Sequence, residues 1–195
     1  MQKQYLPELI ESNRVYLKRY KIKFAKELYK YVSAEKSRLA EFLTWPPFIN
    51  SIQDEESFIK VVNKKWDEFK SANYGIYNKE DNQYMGNISA FKFNWTSSNC
   101  EIGYWILKNY EGKGYITESL RILEKVLFNI GFNRLEIKFD PKNKRSGYIP
   151  KSLNYTYEGT LRSVVYLNGS YRDLNIYSKL KSEHLLSTFS EFESL

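Results

Sequence analysis

The sequence predicts an α+β fold: a mixed, largely antiparallel sheet of about seven strands flanked by helices, with one β-α-β unit. Three observations predict it. Segments with strand-like alternation and segments with helical spacing follow one another as β-α-α-α-β-β-β-α-β-α-β-β, and no repeat or low-complexity linker divides them. Asn168-Gly169, between strand-like residues 156–166 and 171–180, is a strong two-residue hairpin signal. Residues 101–107 form a strand followed by two glycines and a long helix before strand 134–139, the arrangement of a parallel pair joined by a crossover. The 195 residues suit one domain, 1–195, in which the more acidic residues 183–195 form a loose C-terminal tail.

The elements follow in order. Residues 14–20 alternate Val15 and Leu17 against Tyr16 and Lys18, as a strand does. Phe24, Leu28, Tyr31 and Val32 give a short amphipathic helix. Arg38, Leu39, Phe42 and Leu43 give another helical turn, stopped by Trp45-Pro46-Pro47. Residues 54–70 place Phe58, Ile59, Val62, Trp66 and Phe69 on one helical face with lysines opposite. Strands 74–78 and 83–93 pair across a turn at 79–82, and a loop at 96–99 leads into strand 100–107. Ile116, Leu120, Leu123, Val126, Leu127 and Ile130 mark the crossover helix, which Gly131 ends. Pro150 stands inside residues 143–154, and proline is tolerated in a first helical turn but not in an interior. The expectation is therefore a short helix starting near Ser146 or Gly147.

Composition narrows the function. Hydrophobic residues make up 42% and charged residues 27%, and no apolar run approaches the roughly 20 residues that span a membrane. Residues 1–11 lack the layout of a signal peptide, and with one cysteine, Cys100, no internal disulfide forms; both point to the cytoplasm. One Cys and one His, His184, give no soft-ligand metal site, and His184 lies outside every motif, in the tail. Neither GxGxxG nor GxxxxGK[ST] occurs. The net charge of +7 favours an anionic partner, either nucleic acid or a phosphorylated cofactor. Its lysines are spread along the chain, and no aromatic RNA-binding signature accompanies the 17 tyrosines.

Tyr110-Glu111-Gly112-Lys113-Gly114-Tyr115-Ile116-Thr117 carries the strongest chemical signal. A helix N-terminus offers unpaired N–H groups and a positive partial charge, and small residues there let a phosphate come close. Taken alone, the stretch is more simply a strand-to-helix turn that holds two glycines.

The strand Glu101-Ile-Gly-Tyr-Trp-Ile-Leu, followed by Tyr110-Glu-Gly-Lys-Gly-Tyr-Ile-Thr-Glu118, resembles the acetyl-CoA motif of the GNAT superfamily of N-acyltransferases. Within it, Asn143-Lys-Arg-Ser146, residues 149–155, Glu158-Gly-Thr-Leu-Arg162 and residues 166–173 resemble, in order, the second half of the ribosomal-protein (Rim-type) N-acetyltransferases. Residues 39–45 resemble their early acceptor-side segment. Four positions depart from the pattern: Glu111 for Gln or Arg, Ile116 for Gly or Ala, Asn154 for Gly, and Arg38 for a frequent His.

The resemblance implies a GNAT-like sheet whose β-α-β unit binds acetyl-CoA, with no metal, and transfer of the acetyl group to a primary amine. That amine is a protein N-terminal α-amine or, as the alternative, a small amine such as a polyamine or aminoglycoside. A CoA- or RNA-binding module without catalysis is the reading from another class, and the state is a monomer or homodimer. The backbone of Trp105, Ile106 and Leu107 would pair with the pantetheine arm, and the N–H groups of Gly112, Lys113, Gly114, Tyr115, Ile116 and Thr117 would cradle the pyrophosphate. Asn143 would hold the arm from the other side. Lys142, Lys144 and Arg145 would meet the ribose phosphate, unless they form a solvated basic helix start. A backbone N–H near Ile106 would polarise the thioester. Glu101 is the candidate base, or else a buried carboxylate held by backbone or an arginine. Relatives often place a tyrosine acid where this chain has Pro150; Ser146, then Tyr148, then solvent are the replacements. Arg38 and Trp45 fall on the acceptor side.

Overall fold

The computed structural model describes residues 2–184. Among them, eight strands form one sheet: β1 (Leu9–Glu11), β2 (Val15–Arg19), β3 (Ala72–Asn78), β4 (Tyr84–Asn94), β5 (Asn99–Ile106), β6 (Arg134–Phe139), β7 (Thr156–Leu167) and β8 (Ser170–Leu180). Their spatial order is β1-β2-β3-β4-β5-β6-β8-β7, and only β5 and β6 run parallel. The strand beyond the expected seven is β1, whose three residues are too short to show an alternation. The helices that accompany the sheet include α1 (Ala25–Ala34), α2 (Lys36–Leu39), α3 (Ile52–Asp67), α4 (Tyr115–Asn129) and α5 (Lys144–Ser152).

The sheet is covered by two apolar clusters. The larger packs Leu120, Leu123, Leu127 and Phe128 of α4 against Ile88, Ile102, Leu135 and Ile137. The smaller gathers Leu28 and Val32 of α1 and Ile59 and Val62 of α3 around Tyr20 and Tyr84. Helix α3 starts two residues earlier than its apolar face suggested. Ser51 and Asp54 form a capping box, each side chain meeting the other's backbone N–H. Asn168 (φ 51°) and Gly169 (φ 76°) make the turn between β7 and β8, both in the left-handed region that Asn and Gly tolerate. Asn154, one of the departures, has φ 58°, so it fills the backbone role of the glycine it replaces.

Helix α5 corrects an expectation. It begins at Lys144, not near Ser146 or Gly147, because Asn143 caps it: the Asn143 side chain accepts from the Ser146 N–H at 3.1 Å. Pro150 therefore sits well inside the helix and cannot donate to the Ser146 carbonyl four residues earlier. The Tyr104 hydroxyl takes over, donating to that carbonyl at 3.0 Å. The helix lies against the end of β6 so closely that a Cβ at Gly147 would stand 2.6 Å from the Phe139 ring.

His184 also departs from its expected place in a loose tail. Residues 181–184 are helical, and the His184 ring lies 4.9 Å from that of Phe128 with its Nδ1 4.0 Å from Glu124 Oε2. Residues 185–195 of that tail lie outside the described residues. Among the described residues, no helix is long and apolar enough to cross a membrane.

Candidate active site

The site lies where β5 leaves β6. The two strands are in register only from Asn99↔Arg134 to Ile102↔Ile137, whereas on its other side β5 stays paired with β4 through Gly86↔Ile106. From Gly103 to Ile106, β5 thus shows an unpaired edge toward the gap that β6 has left. Gly86 makes the pairing on the far side possible: a Cβ there would stand 2.3 Å from the Trp105 carbonyl oxygen and 2.8 Å from Ile106 Cα.

At the end of that edge is the glycine turn. Gly112 (φ 73°) and Gly114 (φ 78°) adopt left-handed backbone, and Gly114 is the N-cap of α4. The first intrahelical bond runs from Glu118 N–H to Gly114 C=O, so the N–H groups of residues 112–117 stay without partners among the described residues. Arg14 braces the turn, donating to Lys113 C=O at 3.2 Å and to Glu118 at 2.7 Å. Burial pushes the Glu118 carboxyl up, but hydrogen bonds from the Arg14 N–H, Ser12 and the Arg14 side chain outweigh it and hold its pKa below the ordinary value. Glu111, the acid beside this anion site, is neutralised by Arg38 at 2.7 Å and Arg145 at 2.5 Å. Arg145 itself is mostly exposed.

On the opposite side of the gap, α5 brings Asn143 and Ser146. Asn143 caps the helix through its Oδ1, which leaves its Nδ2 to donate elsewhere. The Ser146 hydroxyl makes no hydrogen bond among the described residues, while Tyr148 is 66% exposed. Across the sheet lies a cavity of about 400 Å³ walled by Trp45, Trp105, Phe58 and Tyr20 and reaching Gly103 and Tyr104 of the open β5 segment. Trp45 and Trp105 stand 6.0 Å apart between ring centroids.

Two predicted residues are engaged elsewhere. Arg38 does not line the cavity: its guanidinium donates to Glu35, to Glu111 and, at 2.7 Å, to the Ile106 carbonyl, which ties α2 to the end of β5. Glu101 does not line it either. Its Oε2 is held by Lys92 at 2.8 Å and Lys138 at 2.9 Å, close to the alternative of a structurally held carboxylate but with lysines in place of an arginine.

The carboxylate that does line the cavity is Glu55 of α3, which the sequence reading passed over. It is 2% exposed and has no hydrogen bond or ion pair among the described residues. Burial, with the neighbouring Asp54 adding to it, pushes its pKa up to about 7. A signal was present: Ile52, Glu55, Ile59, Val62 and Trp66 fall on one stripe at spacings of three and four, and Glu55 is the acid in it. Beside it, Asn87 donates to the Tyr20 hydroxyl at 3.0 Å, and Tyr20 and Tyr84 share a hydrogen bond of 3.0 Å.

This geometry has counterparts among known proteins. Residues 14–156 match the family model of the acetyltransferase (GNAT) domain. The chain belongs to the GNAT acetyltransferase family. Among its GNAT relatives, the putative ribosomal N-acetyltransferase YdaF of Bacillus subtilis is 30% identical over 83% of this chain and 88% of its own length. The ribosomal-protein-serine acetyltransferase of Escherichia coli is 28% identical over 80% of this chain and 86% of its own. The structure of the microcin C7 self-immunity acetyltransferase MccE in complex with acetyl-CoA and AMP superposes with a TM-score of 0.83 at 30% identity, covering 87% of this chain and 93% of that one. The protein is thus an acetyl-CoA-dependent GNAT N-acetyltransferase. The open β5 edge and the unpartnered N–H groups of residues 112–117 suit its extended, phosphorylated co-substrate.

Proposed function

We propose that this acetyltransferase modifies the α-amine at a protein N-terminus, as the names of its ribosomal-protein relatives suggest for them, and that it works in the cytoplasm. The observation that carries the reading is the cavity. It meets the open β5 segment, has room for a compact terminal residue, and among the described residues is lined by one carboxylate. Polyamines and aminoglycosides carry several ammonium groups, each of which would need a countercharge once desolvated. An α-amine carries one, and with a pKa of about 7.7–8.0 it loses its proton readily.

In this reading the N–H groups of residues 112–117 and the Arg145 guanidinium hold the pyrophosphate and ribose phosphate. The β5 backbone from Trp105 to Leu107 and the Asn143 amide hold the pantetheine arm. A backbone N–H near Ile106 stabilises the oxyanion of the tetrahedral intermediate, and the Ser146 hydroxyl passes a proton to the departing thiolate. Trp45 forms the outer wall against the acceptor. A compact small-molecule amine is the second reading, favoured by the aromatic walls of the cavity.

The test is mass spectrometry on a mixture of free-N-terminal peptides, lysine peptides, polyamines and aminoglycosides incubated with the protein and acetyl-CoA. The expected result is one acetyl gained at N-terminal α-amines. Acetylation confined to the other amines would refute the acceptor.

A further inference from the structure

Glu55 is anomalous wherever it is viewed from. On α3 it occupies a core-facing position among Ile52, Ile59 and Val62. Its Oε1 is buried without a hydrogen-bond partner, although buried carboxylates are ordinarily paired. Among the described residues no Lys or Arg lines the cavity with it, and no cation offsets its burial. Tyr20 and Tyr84 face it as neutral phenols, each raised above the ordinary tyrosine value chiefly by burial, and the charge that acts on it from its own helix is Asp54. It opens into a cavity that also touches Gly103, Tyr104 and Trp105, the β5 segment whose free edge suits the acyl donor.

We propose that Glu55 is the proton acceptor for the substrate amine, and that the cavity above it takes an amine borne on a compact, uncharged residue. The inference rests on the acetyltransferase reading of the site and adds the group that prepares the nucleophile. An entering ammonium gives the ionised carboxylate its missing partner. In an apolar enclosure the ion pair is less stable, relative to the neutral acid and amine, than it is in water. One proton therefore passes from nitrogen to the Glu55 carboxylate, and the nitrogen lone pair is freed. The nitrogen then bonds to the thioester carbonyl carbon, the C–S bond breaks, and the second nitrogen proton goes to the thiolate. Glu55 releases its proton to solvent when the amide leaves. The sum is ammonium plus acetyl thioester giving amide, free thiol and one proton. A carboxyl whose pKa lies near 7 suits this exchange at neutral pH, neither holding the proton permanently nor lacking affinity for it. A second charge on the acceptor's first residue finds no countercharge in the cavity if it is positive, and meets Glu55 itself if it is negative.

The experiment is the pH dependence of kcat/KM for the wild type, Glu55→Gln and Glu101→Gln, with whichever amine the wild type acetylates best. Calorimetric titration with acetyl-CoA accompanies it. The expected wild-type profile rises through an inflection near pH 7. Glu55→Gln should lose that inflection and fall in kcat by a factor on the order of 10²–10⁴, with unchanged acetyl-CoA affinity to show that the fold and donor site are intact. Peptides starting with Ser or Ala should outcompete those starting with Asp or Lys. An unchanged profile in Glu55→Gln, or an inflection that disappears in Glu101→Gln and survives in Glu55→Gln, overturns the proposal. A wild type that acetylates only non-α amines overturns the acceptor reading and leaves the Glu55 comparison to be made on those amines. A wild type inert toward every amine overturns both.

Discussion

Replacing Glu55 by Gln should make the protein more stable, and by an amount that depends on pH. The carboxyl has an ordinary pKa of 4.5 and about 7 in the folded chain. Below about pH 4.5 it is protonated whether folded or not, and the substitution changes little. As pH rises from 4.5 to 7 the unfolded chain releases the proton and the folded chain keeps it, so the wild type loses stability progressively; above 7 the loss is complete. A difference of about 2.5 units at 1.36 kcal/mol each gives about 3 kcal/mol, taken as an upper figure because water drawn into the cavity would relieve part of it. For a chain of this size that is roughly 6–12 °C in Tm. Thermal and urea denaturation of wild type and Glu55→Gln at pH 5 and pH 8.5 measure it. The gap should be near zero at the lower pH and open at the higher one. A gap that does not change with pH would show that Glu55 ionises freely in the folded state, and would remove the physical basis for its role.

Three further substitutions probe the frame around the site. Gly86→Ala puts a methyl 2.3 Å from the Trp105 carbonyl oxygen, so β4 or β5 must move; a stability loss of about 1–3 kcal/mol and weakened acetyl-CoA binding should appear together in denaturation and calorimetry, and normal binding would contradict the assigned donor edge. Tyr104→Phe leaves the Ser146 carbonyl without its donor, since Pro150 has no N–H; about 1–3 kcal/mol of stability should be lost, whereas a neutral effect in urea melts would mean that water serves equally well. Lys179→Met removes the cation 3.2 Å from the buried Glu124 carboxylate; about 3–5 kcal/mol should be lost, and adding Glu124→Gln should restore part of it, an outcome read from the double-mutant cycle.

What was legible in the sequence was what local chemistry writes down. The period of α4, the Asn168-Gly169 turn and the alternation of β2 each reappear, because one element decides them. The start of α5 was not legible, since Pro150 is tolerated only through a tyrosine 46 positions earlier in the chain. Arg38 looked like an acceptor contact because it neighbours Trp45 in sequence, but its partners Ile106 and Glu111 lie far along the chain. Glu55 was legible in principle, but a stripe drawn through Phe58 and Phe69 leaves out the acid that the stripe through Ile52, Ile59, Val62 and Trp66 includes. The contact of the hairpin tip with the early helices, where Asn168 Nδ2 donates to Ala40 C=O at 3.0 Å, joins the hairpin to the segment expected on the acceptor side by a bond no spacing could announce.

The divergence of β5 from β6 leaves four residues whose hydrogen-bonding groups belong to the main chain, which every amino acid except proline supplies in full. A ligand that completes the sheet there is recognised by a shape that substitution hardly alters, so the donor half of the protein has little to lose from drift in its side chains. The cavity on the other side of the same strand is built mostly from side chains, and a handful of replacements there would remake its contents. One strand therefore separates a conservative partner from a negotiable one, and a change of acceptor need not disturb the machinery that delivers the acetyl group.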